Sequence, residues 1–139
     1  MLFRSDILFG NLEPIQRWPK AVAKRKAVAL VPSNASVSAS YNVNPHLTHR
    51  THVYEWPNPW IGTNWGICDV DNLDDPAGVD WFVIDLDYLQ SDPVQLGLLD
   101  RLLGGEFVVR LDEAGVIAAQ RVAPPATQRS PAPTSCPGR

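Results

Sequence analysis

Three imidazoles spaced three residues apart, His46, His49 and His52, are the first groups in this chain that could do chemistry. Imidazole is the commonest zinc ligand, and residues three apart on a helix share a face. A zinc site, however, needs three or four convergent ligands. The strand-like THVYEW that starts at Thr51 would end any helix near Arg50 and carry His52 off the shared face. The histidines therefore read as structural or loop-anchoring groups, and no metal ligand is assigned. Asp69-Val70-Asp71 and Asp85-Leu86-Asp87 each spell DxD, a pattern that can hold a divalent cation through hard oxygen ligands. The second follows an apolar strand, as such chemistry requires, but no glycine-rich loop precedes it and two carboxylates do not make a cation cage. A strand end followed by a turn is the simpler reading of Asp85 and Asp87. No GxSxG elbow surrounds any serine, and neither Cys68 nor Cys136 has a local nucleophile signature. No catalytic residue and no cofactor is assigned.

The histidines lie in a segment dense in large side chains, NPHLTHRTHVYEWPNPWIGTNWG, from Asn44 to Gly66. Loops are usually built from small polar residues, so Trp56, Trp60 and Trp65 around Pro57-Asn58-Pro59 must either fill a core or present a surface. A sugar-stacking face, a membrane-interface belt and a side-chain plug all use such aromatics, and all three readings stay open here.

The elements that must position these residues follow from patterning. In KAVAKRKAVALV, between Pro19 and Pro32, Val22, Ala23, Ala27 and Leu30 fall on one face and Lys20, Lys24, Arg25 and Lys26 mostly on the other, which predicts a helix ended by Pro32. Ser36 to Ser40 and Thr51 to Trp56 alternate as strands, with a helical turn over Pro45 to Arg50 capped by Asn44 between them. Pro57 to Asp80 is a long connection, of a length usually reserved for function. VDWFVIDL is a strand buried on both faces, and DPVQLGLLDRLLGG is an amphipathic helix capped by Asp92, with Pro93 at its first position and Gly104 or Gly105 at its end. EFVVRLDEAGVIAAQRV is a hairpin that turns at Asp112-Glu113-Ala114-Gly115. The expectation is an α/β fold: a small, mostly parallel sheet with flanking helices, a C-terminal β-hairpin and a disordered Pro-rich tail. Residues 1–19 read as a linker or truncated juxtamembrane segment, 20–121 as the soluble domain and 122–139 as the tail. Trp81, Val83, Leu96, Leu99, Leu103, Phe107 and Val109 are expected to share one core.

With 12 Lys and Arg against 15 Asp and Glu, the net charge is −3 and no block of basic residues tracks a phosphate backbone, so nucleic acid is not an expected partner. No apolar run is long enough to cross a bilayer. Two cysteines do not make a disulfide framework.

The order of the segments is more specific than any of them alone. A helix ending LVP, a strand like VSAS, the PHLxHR segment, Trp56-Pro57-Asn58-Pro59-Trp60, the Asn64-Trp65-Gly66 turn, the VDW strand and the closing hairpin together resemble the C-terminal soluble region of a family of predicted multi-pass bacterial membrane proteins, domain of unknown function 2079. The resemblance runs from about Lys20 to Arg121; Asp85-Leu86-Asp87 and the Pro-rich tail depart from it. That family looks related to C-type membrane glycosyltransferases, which use polyprenyl-phosphate sugars and carry their catalytic acid in an extracytoplasmic loop near the N-terminus. The resemblance implies a fragment: a noncatalytic extracytoplasmic domain at the cell membrane that partners the membrane part of its parent and a polyprenyl-phosphate-linked sugar or its acceptor. The binding residues it suggests are His46, His49, Arg50, Asn58, Trp60, Asn64 and Trp65, and His46, His49, Arg50, Asn58 and Trp60 are expected to converge on one surface. The alternative is a free-standing divalent-cation-dependent enzyme using Asp85 and Asp87, with His46 and His49 nearby.

Overall fold

The computed structural model describes residues 18–62, 74–89 and 91–124. Helix α1 (Trp18–Leu30) starts two residues ahead of its expected beginning and is followed by β1 (Val37–Ala39), a 3-10 turn (Asn44–Leu47) and β2 (Val53–Glu55). A further 3-10 turn (Pro76–Gly78) leads into β3 (Trp81–Asp85), and a third (Leu86–Leu89) leads to α2 (Pro93–Leu103). The hairpin of β4 (Phe107–Glu113) and β5 (Val116–Arg121) closes the domain. The five strands lie in the order β2-β1-β3-β5-β4. β1, β2 and β3 are parallel, whereas β5 runs antiparallel to both β3 and β4. This is the expected α/β sheet with its C-terminal hairpin, and it is mixed.

Local chemistry explains the elements that form as read. The Asp92 carboxylate accepts from the backbone N–H groups of Val94 and Gln95, and Pro93 occupies the first helical position, where its missing N–H costs nothing. The hairpin turns on Ala114 and Gly115, both at positive φ (50° and 78°), the backbone twist that two-residue hairpins favour. The turn after β1 differs from expectation. Asn44 is not its cap: Val43 holds that position without a side-chain cap bond. The Asn44 N–H already donates to the Ser40 carbonyl, which draws Asn44 into the turn.

β3 alternates between two cores, as a strand buried on both faces must. Phe82 and Ile84 pack with Trp56, Trp60, Phe107 and the α2 residues Leu98, Leu99 and Leu102. Trp81 and Val83 pack on the other face with Val37, Leu47, Val116 and the α1 residues Ala23 and Ala27. The single core expected from the sequence is therefore two. Trp81 and Val83 belong under α1, while Leu99, Leu103 and Phe107 belong with α2. Leu96 and Val109 leave the core and are exposed, because α2 presents Leu98, Leu99 and Leu102 to the sheet and β4 is an edge strand. On α1 the buried positions are Ala23 and Ala27. Leu30 is exposed rather than buried, and the alanines let the helix backbone approach the sheet closely. Leu99→Ala should lower unfolding stability by about 3 kcal/mol, whereas Leu96→Ala at the exposed position should change it by less than about 1 kcal/mol. Equal losses in urea titrations of the two variants would contradict this helix orientation.

Expectations for residues 1–17 and for 125–139, including Cys136 and nearly all of the tail, lie outside the described residues.

Candidate functional site at the carboxyl edge of the sheet

The two connections around β1 run on opposite faces. Val43 and Leu47, between β1 and β2, pack into the α1-side core, whereas Trp56, Trp60 and Ile61, which start the β2 to β3 connection, pack into the α2-side core. In an open α/β sheet, a crevice forms at the carboxyl ends of the strands where successive connections diverge in this way, and ligands bind there. This divergence lies between β1 and β2, and because Leu89 and the α2 residues that follow β3 also pack on the α2 side, a second lies between the ends of β1 and β3, at Ser40 and Asp85.

Asp85 is 3% exposed and fully engaged. Its Oδ1 accepts from Lys20 Nζ at 2.9 Å and from the Asp87 N–H at 3.1 Å. Its Oδ2 accepts from Asn42 Nδ2 at 2.9 Å and lies 3.2 Å from Lys24 Nζ. The Asp85 N–H donates to Ser40 Oγ at 3.0 Å, and Lys20 also pairs with Asp87. Burial alone would push the Asp85 carboxyl up, but the bonds from Lys20, Asn42 and Lys24 hold it below its ordinary value. Burial likewise works against the Lys20 ammonium, yet the bonds to Asp87 and Asp85 raise its pKa. Both groups stay charged at neutral pH.

What the Asp85-Leu86-Asp87 pair holds is the Lys20 ammonium, set between both carboxylates where a divalent cation would have to sit. Among the described residues, no group of three or more His, Cys, Asp or Glu side chains is placed to hold a metal ion. Asp69 and Asp71 lie outside the described residues.

The outer side of this network is a cavity of about 320 Å³ lined by Lys20, Ala21, Lys24, Arg25, Asn42 and His46. Three cations and an imidazole face it, and among the described residues no carboxylate side chain lines it. Lys20 and Lys24 sit four apart on α1, beside the buried Ala23 and Ala27 row, and so reach both Asp85 and the cavity. The Arg25 guanidinium stacks over the Trp18 ring at 5.8 Å from its centroid. Such a cavity can bind an oxyanion, with the fixed ammonium and guanidinium donors neutralising its charge.

The residues expected from the sequence disperse. His46 lines the cavity and His49 is exposed. Arg50 donates from Nη2 to the Val28 and Val31 carbonyls at 3.2 and 2.9 Å, capping the end of α1. Trp60 is fully buried in the core on the α2 side, and the Asn58 carbonyl accepts from Ser38 Oγ at 2.7 Å. Asn64, Trp65 and Cys68 lie outside the described residues. The expected convergence on one surface is thus corrected: the PHLxHR segment serves the α1 face and the WPNPW segment the α2 face, with the sheet between them. Arg50→Lys should cost about 2 kcal/mol in a thermal or urea melt, since the lysine nitrogen ends one bond short of the Nη2 position that reaches both carbonyls; an unchanged melt would show that the cap contributes nothing.

Lys20, Lys24, Arg25 and Asn42 were not anticipated as site residues. The readable signal was the lysine pair four apart on one helix, together with an aspartate at the end of a doubly buried strand.

The family model described as predicted membrane protein (DUF2079) matches residues 4–116. The chain belongs to this family. The DUF2079 match takes in α1, the WPNPW segment, β3 and α2, so both walls of the cavity lie within it. It begins earlier and ends sooner than the span from Lys20 to Arg121 expected above. No helix among the described residues is long and apolar enough to cross a membrane. No curated protein and no solved structure matches the chain.

Proposed function

We propose that this chain is a noncatalytic extracytoplasmic domain of a multi-pass DUF2079 membrane protein similar to the C-type glycosyltransferases, and that its carboxyl-edge cavity positions the phosphate of a lipid-linked sugar or of its acceptor. The observation that carries this reading is the cavity itself: Lys20, Lys24 and Arg25 with His46 and Asn42 around about 320 Å³, beside the ends of β1 and β3 where their connections leave on opposite faces. Asp85 acts as a positioning residue. It holds two ammonium groups at fixed separation and leaves each with hydrogen-bond donors to spare, since an ammonium carries three. Arg25, braced by Trp18, supplies a planar fork suited to phosphate. The noncatalytic reading rests on the state of the carboxylates. Asp85 is ionised and consumed by its partners, so it is neither a general acid nor a free base. Tyr54, whose pKa is pushed up to about 12 by burial and then by the bond to the Asp74 carboxylate, belongs to the α2 side.

Calorimetric titration of the 139-residue chain with a short, soluble polyprenyl phosphate tests this. Arg25→Glu should weaken binding by about tenfold or more, and Arg101→Glu, on α2 across the sheet, should leave it unchanged. Equal effects of the two substitutions, or no saturable binding by the parent chain, would refute the cavity as the phosphate site.

A further inference from the structure

A second cavity, of about 730 Å³, opens beside the first at the outer edge of β2 and shares Asn42 with it. Its chemistry is different. Arg50 and Glu55 bring one charge of each sign, and the rest of its polar lining is amide and hydroxyl: Asn44, Thr48 and Thr51. Tyr41, 46% exposed, lines it as well and is stacked on Tyr88 at 6.2 Å between ring centroids and 22° between planes, which fixes the ring. Among the described residues, five side-chain polar atoms are buried without a hydrogen-bond partner, and three of them, Asn42 Oδ1, Asn44 Oδ1 and Arg50 Nε, belong to residues of this groove. The other two are the indole nitrogens of Trp56 and Trp60, in the α2-side core. Buried polar groups are ordinarily paired, so among the described residues this concentration marks the floor beneath the groove as unusually polar.

We infer that the groove is a binding site for a neutral polyhydroxylated ligand, a saccharide ring. A ligand here meets an acceptor in the Glu55 carboxylate and groups that both donate and accept in the Thr48 and Thr51 hydroxyls and the asparagine amides, and hydroxyl groups, which donate and accept, can match them all. The opposed charges of Arg50 and Glu55 disfavour a strongly charged ligand. The volume falls in the range of small-molecule sites, and the exposed face of Tyr41 offers an apolar platform to the C–H face of a sugar ring. The inference rests on the proposed function only for what is attached to the sugar: if the first cavity holds phosphate, the shared Asn42 makes the two cavities neighbouring parts of one glycosyl-phosphate site.

The isotope-labelled 139-residue chain, titrated separately with glucose, galactose, mannose and N-acetylglucosamine and followed through its amide resonances, provides the test. At least one sugar should give saturable shifts at residues 41–55. Tyr41→Ala and, independently, Thr51→Val should weaken that binding by about tenfold while the remaining spectrum keeps its dispersion. Four sugars that all leave residues 41–55 unmoved, or parent-like affinity in both variants, would overturn the inference. A parallel titration with inorganic phosphate, read at Lys20, Arg25 and His46, keeps the two ideas apart. Sugar shifts without phosphate shifts leave the groove standing and sink the basic cavity, and phosphate shifts without sugar shifts do the reverse.

Discussion

Trp60→Ala is expected to destabilise the domain by about 3–5 kcal/mol, among the largest losses of any single substitution. Trp60 is fully buried, with ring centroids 5.6 Å from Trp56 and 6.0 Å from Phe107. Phe82 ties the group together, 5.6 Å from Trp56 and 4.9 Å from Phe107. Removing the indole opens a cavity between the WPNPW segment and the sheet that the three remaining rings, Trp56, Phe82 and Phe107, cannot close without moving β3 or β4. Trp60→Phe should cost much less, because the buried indole N–H has no hydrogen-bond partner and its loss orphans no acceptor. Urea titrations of the three proteins would show the ordering directly. A Trp60→Ala midpoint equal to that of the parent would mean that the ring is a presented surface and not a core element.

Asp85→Ala is expected to cost roughly 3 kcal/mol or more. The substitution leaves two ammonium groups facing each other beside a buried strand end and strips Asn42 and the Asp87 N–H of their acceptor. Lys20 and Lys24 are partly exposed and can turn toward water, which keeps the loss near the lower end of the range for broken buried pairs. The pH dependence has a definite sign. The folded-state pKa of Asp85 lies below its ordinary value, so its stabilisation is fully present above the unfolded value of about 3.9 and is lost as pH falls through the folded one. The folded-state pKa of Lys20 is raised, so its contribution is full below about 10.4 and is lost as pH rises through the folded value. The network therefore stabilises the domain most between about pH 4 and 10. Asp85→Asn should flatten the acid limb of a stability profile; an acid limb identical in the parent and Asp85→Asn would show that Asp85 is not linked to folding.

The elements with local causes were legible in the sequence. Asp92 and Pro93 announce α2, Gly115 announces the hairpin turn, and VDWFVIDL announces a strand covered on both sides. What was not legible is which cover lies on which side. Trp81 and Phe82 are equally apolar, and only the pairing of β3 with β1 and β5 decides that one faces α1 and the other α2. The same limit scattered the expected binding residues. His46, Arg50, Asn58 and Trp60 are close in sequence, but the chain passes from one face of the sheet to the other at β2, a strand of three residues, and nearness along the chain carries no information about faces. The pattern puts Lys20 and Lys24 only on the helix face opposite the apolar residues, because nothing in a helical pattern shows that an aspartate 65 residues away ends a strand beneath them. The dense Asn44 to Gly66 segment is accounted for, over its described part, by two covers of one sheet: Leu47 and the Arg50 cap on one face, and Trp56 and Trp60 on the other.

The most direct measurement of the central claim is a crystal structure of the 139-residue chain with a short polyprenyl phosphate bound. The account predicts the phosphate against Lys20, Lys24 and Arg25, within hydrogen-bonding reach of His46, with the Asp85 bonds to both lysines intact. A phosphate seated on another face of the domain, or one that reaches Lys20 only by breaking the Lys20–Asp85 pair, would contradict it.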